Sequence, residues 1–292
     1  MPRSVLAVAL VSIATLSGCT EGVLDPKGPI AAAERQILFN SLGIMLAIVI
    51  PTILATLGIA YWFRSSNKRA RYLPDFTYSG RLELLVWSIP ALTVLLVGGV
   101  AWVGSHHLDP RKPIGAAVEP LRIQVVSLDW KWLFIYPEQG IASINQLTIP
   151  IDTPVSFELT SAGVMNSFFV PQLGGQIYTM AGMVTRLYLQ ADHPGSYRGL
   201  SANYSGGGFA DMRFTVDALP AKEFAHWVTT TRSAGPQLDS QTYADLAKPT
   251  TAVPPFTYRT VAPGLFNGIL SAGMMGADAS HIDLPASQRA EK

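Results

Sequence analysis

Gly199-Leu-Ser-Ala-Asn-Tyr-Ser-Gly-Gly-Gly-Phe-Ala-Asp-Met212 places Ser201 and Ser205 four residues apart, Phe209 four later and Met212 three after that. The glycines at 206–208 lack the Lys-Ser/Thr that follows in a phosphate loop, and no fingerprint precedes them, so that reading is discarded. A serine hydroxyl does not ionise near neutral pH, and Phe209 has no lone pair. Met212 alone offers a soft donor, a thioether. Upstream, Met165-Asn-Ser-Phe-Phe-Val-Pro171 contributes Asn166, whose amide is a hard, weak donor.

With Cys, Cys and His at positions 201, 205 and 209 the run would read Cys-x3-Cys-x3-His-x2-Met. In that form it resembles the ligand loop of the binuclear copper (Cu-A) site in subunit II of cytochrome c oxidases, with Asn166 where the family has its first His. One thioether does not hold two copper ions, so no bound metal is expected: by the resemblance Asn166, Ser201, Ser205, Phe209 and Met212 are degenerate Cu-A positions. A frame kept and ligands lost resembles subunit II of bo-type ubiquinol oxidases, in the haem–copper oxidase superfamily. Ser127-Leu-Asp-Trp-Lys-Trp-Leu-Phe-Ile-Tyr-Pro-Glu-Gln-Gly-Ile141 and the run from Met165 to Met183 carry the same likeness, which extends from about Leu16 to about Tyr243.

Composition agrees with a membrane protein. Among 292 residues 49% are apolar and only 14% charged, against about a quarter charged in a typical soluble protein. A net charge of +1 gives no support for a nucleic-acid partner. The single cysteine, Cys19, forms neither an internal disulfide nor a thiolate-bridged metal pair.

Residues 1–18 have Arg3, a short apolar run and the ending Leu16-Ser-Gly-Cys19, which read as a secretory signal rather than a span. The ending resembles a bacterial lipobox, which implies lipid attachment at Cys19; an ordinary signal with an incidental cysteine is the alternative. From Leu38 to Phe63 there are 26 residues without a charge, about 39 Å of helix at ~1.5 Å per residue. Leu84 to Val103 is a second uncharged stretch, of 20 residues. Arg64, Lys68, Arg69, Arg71 and Arg81 lie between the spans with Asp75, which puts this loop in the cytoplasm and both termini outside. Trp62, Trp87 and Trp102 read as interfacial anchors, and His106 and His107 as interfacial polar residues rather than ligands.

Glu83 opens the second span. One reading is an interfacial carboxylate paired with Arg81. The other follows from the resemblance: a subunit II glutamate near this position lies at the cytoplasmic mouth of a proton channel in subunit I of haem–copper oxidases, which implies proton entry through Glu83.

After a proline-rich linker the period changes to two at Leu121, Ile123 and Val125. Short β-rich runs separated by Gly, Pro, Asn and Asp predict an antiparallel sandwich or barrel. That it is a cupredoxin is implied by the resemblance. Trp130 and Trp132 are assigned to packing at a contact with subunit I. Pro220 opens an amphipathic helix through Arg232, a second covers Ser240 to Lys248, and little is legible beyond Pro249; the last dozen residues read as disordered.

The expected fold is therefore a membrane-anchored mixed protein: a two-helix transmembrane hairpin, an all-β cupredoxin-like sandwich and a C-terminal helical segment. Its parts are a signal (1–18), an outer-face segment (19–37), spans at 38–63 and 84–103 around a cytoplasmic loop (64–83), a linker (104–120), the cupredoxin-like domain (121–218) and a helical segment with a tail (219–292). The resemblance implies a non-catalytic subunit of a proton-pumping quinol oxidase that reduces oxygen to water. It implies a multi-pass lipoprotein of the bacterial inner membrane, with its large domain in the periplasm. Haems and copper would reside in partner subunit I, further small membrane subunits would be neighbours, and no cytochrome c would dock. The rival readings are a cytochrome c oxidase subunit II with working Cu-A and a stand-alone membrane lipoprotein that acts as an interaction module.

Overall fold

A computed structural model of the chain describes residues 22–275, apart from Tyr72, Ala116 and Ala117. Cys19, the signal and the last dozen residues lie outside the described residues. The chain divides into two compact units, one formed by residues 33–109 and the other by residues up to 32 together with those from 110 onward.

The first of these units holds most of α1 (Pro29–Trp62) and all of α2 (Gly80–His107). Both are long and apolar enough to cross a membrane. Neither confines its apolar residues to one stripe, as a helix surrounded by lipid requires. The helices begin before the uncharged runs that announce them. Pro29 suits a first helical position because its fixed φ and missing N–H cost nothing there. Pro51 and Pro90 are accommodated inside α1 and α2. Where the helices approach each other, a Cβ on Gly104 would stand 2.7 Å from Ile37 Cδ1, so the tip of that side chain would have to turn aside.

The other unit is a sandwich. Its six-stranded sheet has the order β12-β3-β2-β1-β5-β8, where β1 is Leu121–Leu128, β2 Lys131–Tyr136, β3 Ile141–Ile144, β5 Val155–Ser161, β8 Thr185–Leu189 and β12 Phe256–Tyr258. Its five-stranded sheet has the order β4-β10-β9-β6-β7, where β4 is Gln146–Pro150, β6 Asn166–Phe169, β7 Ile177–Thr179, β9 Gly195–Ser201 and β10 Arg213–Leu219. The sheets are mixed rather than antiparallel: β1 runs parallel to β5, and β4 parallel to β10. Such pairs are joined by crossovers instead of hairpins, and strand periodicity does not reveal them.

One apolar run splits between the sheets. Ile144 and Leu147 belong to different strands because Asn145, at φ 53°, turns the chain from β3 into β4. The Asn145 side chain fixes the corner: Oδ1 accepts from Trp132 N at 2.8 Å, and Nδ2 donates to Val253 O at 2.8 Å.

Between the sheets lies an aromatic core. Phe168 and Phe214 stack at 5.0 Å, and Trp132 meets them edge-on at 5.5 and 5.6 Å. Trp132 is wholly buried, which corrects its assignment to a subunit contact: a fully enclosed indole packs its own domain. Every residue of β2 is buried, which demands cover on both faces. The second cover comes from the C-terminal region. Val126, Leu133, Ile135 and Ile144 pack against Leu238, Tyr243, Tyr258, Leu265, Phe266 and Ile269.

That region comprises α3 (Ala221–Ser233), β11 (Gln237–Leu238), α4 (Ser240–Ala247), β12, β13 (Thr260–Val261) and α5 (Leu265–Met274). It is not helical alone, since β12 adds to the edge of the six-stranded sheet beside β3. The sandwich also holds the start of the described chain. Lys27 N donates to Gln172 O at 2.7 Å, Asp192 N to Lys27 O at 2.8 Å, and Ala31 is buried. Gly28 is required here, because a Cβ would overlap the Gln190 carbonyl oxygen.

Candidate functional site

β6 begins with Asn166 and β9 ends with Ser201. Their antiparallel register pairs Phe168 with Ser201, so both polar side chains fall at the same end of the sandwich. The loop after β9 passes through a 3-10 turn, Phe209–Asp211, and returns at Met212 to start β10. Ser201 N donates to Met212 O at 3.1 Å, which closes the loop. Four of the five degenerate positions are drawn together by this fold.

What joins them is hydrogen bonding. Ser201 Oγ donates to Asn166 Oδ1 at 3.0 Å, and both residues are buried. Asn166 Nδ2 donates to Val164 O at 3.3 Å. Behind them the hydroxyls of Ser127 and Thr179 meet at 2.9 Å, and Asn166 pairs with Thr179 across β6 and β7. Ser205 Oγ lies 4.0 Å from Met212 Sδ. Phe209 packs edge-on against Tyr204 at 5.7 Å. The donor set is thus two hydroxyls, an amide and one thioether, in which the amide and a hydroxyl already bond each other. Soft or borderline copper calls for thiolate and imidazole, so these residues do not fit a Cu-A pair.

Trp130 braces the loop. Its Nε1–H donates to Ser205 O at 2.9 Å, and a Cβ on Gly208 would overlap its ring. Beside it Lys131 is buried at the start of β2 and satisfies all three of its N–H donors. They go to Lys248 O at 2.8 Å, Thr250 Oγ1 at 2.6 Å and Asp129 O at 3.2 Å. Burial without a contacting carboxylate lowers its pKa from 10.5 to about 8; the Asp129 charge opposes the fall. Thr250 N also bonds Asp129 O, so the ammonium fastens the 248–250 segment beside the loop. Sequence reasoning did not single out Lys131, although a lysine inside an all-apolar strand is a legible signal.

The remaining candidates lie elsewhere. Glu83 is exposed in the first turn of α2, its N–H donating to Ser79 O at 3.0 Å; a carboxylate there complements the helix dipole. His106 packs on Trp102 at 4.4 Å, with Nδ1 2.8 Å from Trp102 O. Among the described residues no three His, Cys, Asp or Glu side chains converge to hold a metal ion.

Comparison with known proteins agrees with this geometry. The profile described as "Cytochrome C oxidase subunit II, periplasmic domain" matches residues 137–219, and that described as "COX Aromatic Rich Motif" matches 232–277, the part that covers β2. The sandwich is accordingly cupredoxin-like. Cytochrome bo(3) ubiquinol oxidase subunit 2 of Pseudomonas aeruginosa is 47% identical over 264 residues, 90% of this chain and 80% of that one. Ubiquinol oxidase subunit 2 of Acetobacter aceti is 49% identical over 264 residues, 90% of this chain and 86% of that one. Cytochrome bo(3) ubiquinol oxidase subunit 2 of Pseudomonas putida is 43% identical over 282 residues, 96% and 90% of the two chains.

Proposed function

Because the chain belongs to the ubiquinol oxidase subunit 2 family, we propose that it is the non-catalytic subunit II of a proton-pumping terminal oxidase that draws electrons from ubiquinol and reduces oxygen to water. The observation that carries this reading is the Ser201–Asn166 hydrogen bond where copper ligands would stand. A chain that relays electrons from cytochrome c needs a metal at that place, whereas a complex fed by quinol inside the bilayer does not. Two apolar helices and a domain of the periplasmic subunit II type fit an inner-membrane oxidase subunit.

The chain then contributes assembly and a periplasmic cap, while haems and copper reside in partner subunit I. We further assign lipid attachment to Cys19 and a proton-gathering role to Glu83. The positive charge at 64–71 supports a cytoplasmic loop, which puts Glu83 on the proton-uptake side.

Purification by a tag on this chain tests the assignment. A haem-bearing partner whose spectrum responds to ubiquinol and not to reduced cytochrome c is the expected result; a chain isolated without haem would overturn it. Glu83→Ala in the assembled enzyme should lower turnover and pumping together, and unchanged values would remove the proton-entry role. Mass spectrometry of the mature N-terminus decides the lipid at Cys19.

A further inference from the structure

We propose that the groove between α3 and the outer face of the five-stranded sheet is a binding site for an organic ammonium group. Three strands build its floor. In the parallel pair β4–β10 Thr148 stands beside Asp217, and in the antiparallel pair β9–β10 Ser196 stands beside Asp217. Residues beside each other in a sheet point to the same face. Thr148, Asp217 and Ser196 therefore form a row, while their neighbours Leu147, Ile149, Tyr197, Val216 and Ala218 fill the core. From α3, Glu223 and Trp227 form the wall of a cavity of about 520 Å³.

The lining has acceptors in excess. It holds two carboxylates, two hydroxyls and Gln146, without a lysine, arginine or histidine. Among the described residues no cation lies within ion-pair distance of Asp217 or Glu223. Gln146 Nε2 donates to Asp217 Oδ2 at 2.8 Å. Independently, Thr148 is 1% exposed and its Oγ1 has no hydrogen-bond partner among the described residues. Its backbone is saturated instead, the Tyr136 hydroxyl accepting from Thr148 N and donating to Thr148 O. A buried hydroxyl left unpaired is costly, and it stands in the same row as a carboxylate that an amide but no cation contacts.

These features select the ligand. Acceptor-rich walls call for a donor-rich guest, and two negative charges call for a cation. An ammonium brings three N–H donors to these acceptors. A divalent metal is the poorer match, since no third acidic or histidine side chain converges here. The ammonium comes either from a small free amine or from a lysine of a neighbouring subunit.

Putrescine is the probe, titrated calorimetrically into the full-length chain purified in detergent, alone and in the assembled oxidase. Saturable binding at one site per chain is expected, weakened at least tenfold in Asp217→Asn/Glu223→Gln. Should that variant fail to fold, carbodiimide must couple putrescine as an amide to Asp217 or Glu223 of the unaltered chain in preference to its other exposed carboxyls, and no such preference counts as absence of binding. Binding to the assembled oxidase identifies a free amine as the ligand. Binding to the chain alone, with carbodiimide coupling of Asp217 or Glu223 to a partner lysine in the oxidase, identifies the neighbouring subunit. Absence of both binding and coupling, or equal binding by the folded variant, overturns the proposal. The quinol assignment does not enter these readouts.

Discussion

Ser201 and Asn166, 35 residues apart, bond each other through Oγ and Oδ1 at 3.0 Å at the positions where the resembling copper site has a cysteine and a histidine. The place is filled by a buried polar network that includes Thr179 and Ser127, and such a network stabilises only while its members stay satisfied.

Ser201→Ala leaves the Asn166 amide oxygen buried without its donor. The expected cost is about 1–3 kcal/mol of unfolding free energy, read by denaturant unfolding of the purified chain. Ser205→Ala should cost less than ~1 kcal/mol, because its hydroxyl meets only the weak acceptor Met212 Sδ.

Asn145 joins the two sheets through its left-handed backbone and two side-chain bonds to main-chain groups. Asn145→Ala removes both bonds and places a Cβ-bearing residue at positive φ without the local compensation of an amide. A loss of about 2–4 kcal/mol is expected. Asn145→Gly should recover roughly 1 kcal/mol of it by relieving the backbone, and the difference between the two variants measures the strain.

Lys131 imposes a pH dependence. Its pKa is about 8 folded and near the ordinary 10.5 unfolded, so unfolding takes up a proton between those values. Stability contributed through this group therefore rises as pH goes from 8 toward 10.5. Burial holds the Tyr197 and Tyr258 hydroxyls above their usual range, which acts in the opposite sense above pH 10. The clean window is pH 8 to 10. There the stability difference between the unaltered chain and Lys131→Met should shift steadily in favour of the unaltered chain as pH rises; a flat difference would contradict the assignment.

Both long helices were legible because uncharged apolar runs need no partner to be recognised. The ligand loop was legible because its spacing is local, from Ser201 to Met212. Its new bonding was not, since Ser201 and Asn166 meet only through the β6–β9 register. The C-terminal cover escaped for the same reason: Phe256-Thr-Tyr258 is too short to read as a strand until β3 is there to pair with it. Burial of all six residues of β2 contained the hint that something must cover its outer face. Trp132 was misjudged because an aromatic in a strand is equally consistent with surface contact and core, and only its neighbours Phe168 and Phe214 decide.

The central claim is that this domain retains the outline of a redox centre without atoms to grip a metal. Copper content and the visible spectrum of the full-length chain, purified in detergent free of its partners and incubated with copper under reducing conditions, test it most directly. Copper that exchanges away on desalting and a featureless visible spectrum are predicted. Two tightly held coppers per chain with intense charge-transfer absorption would contradict the account.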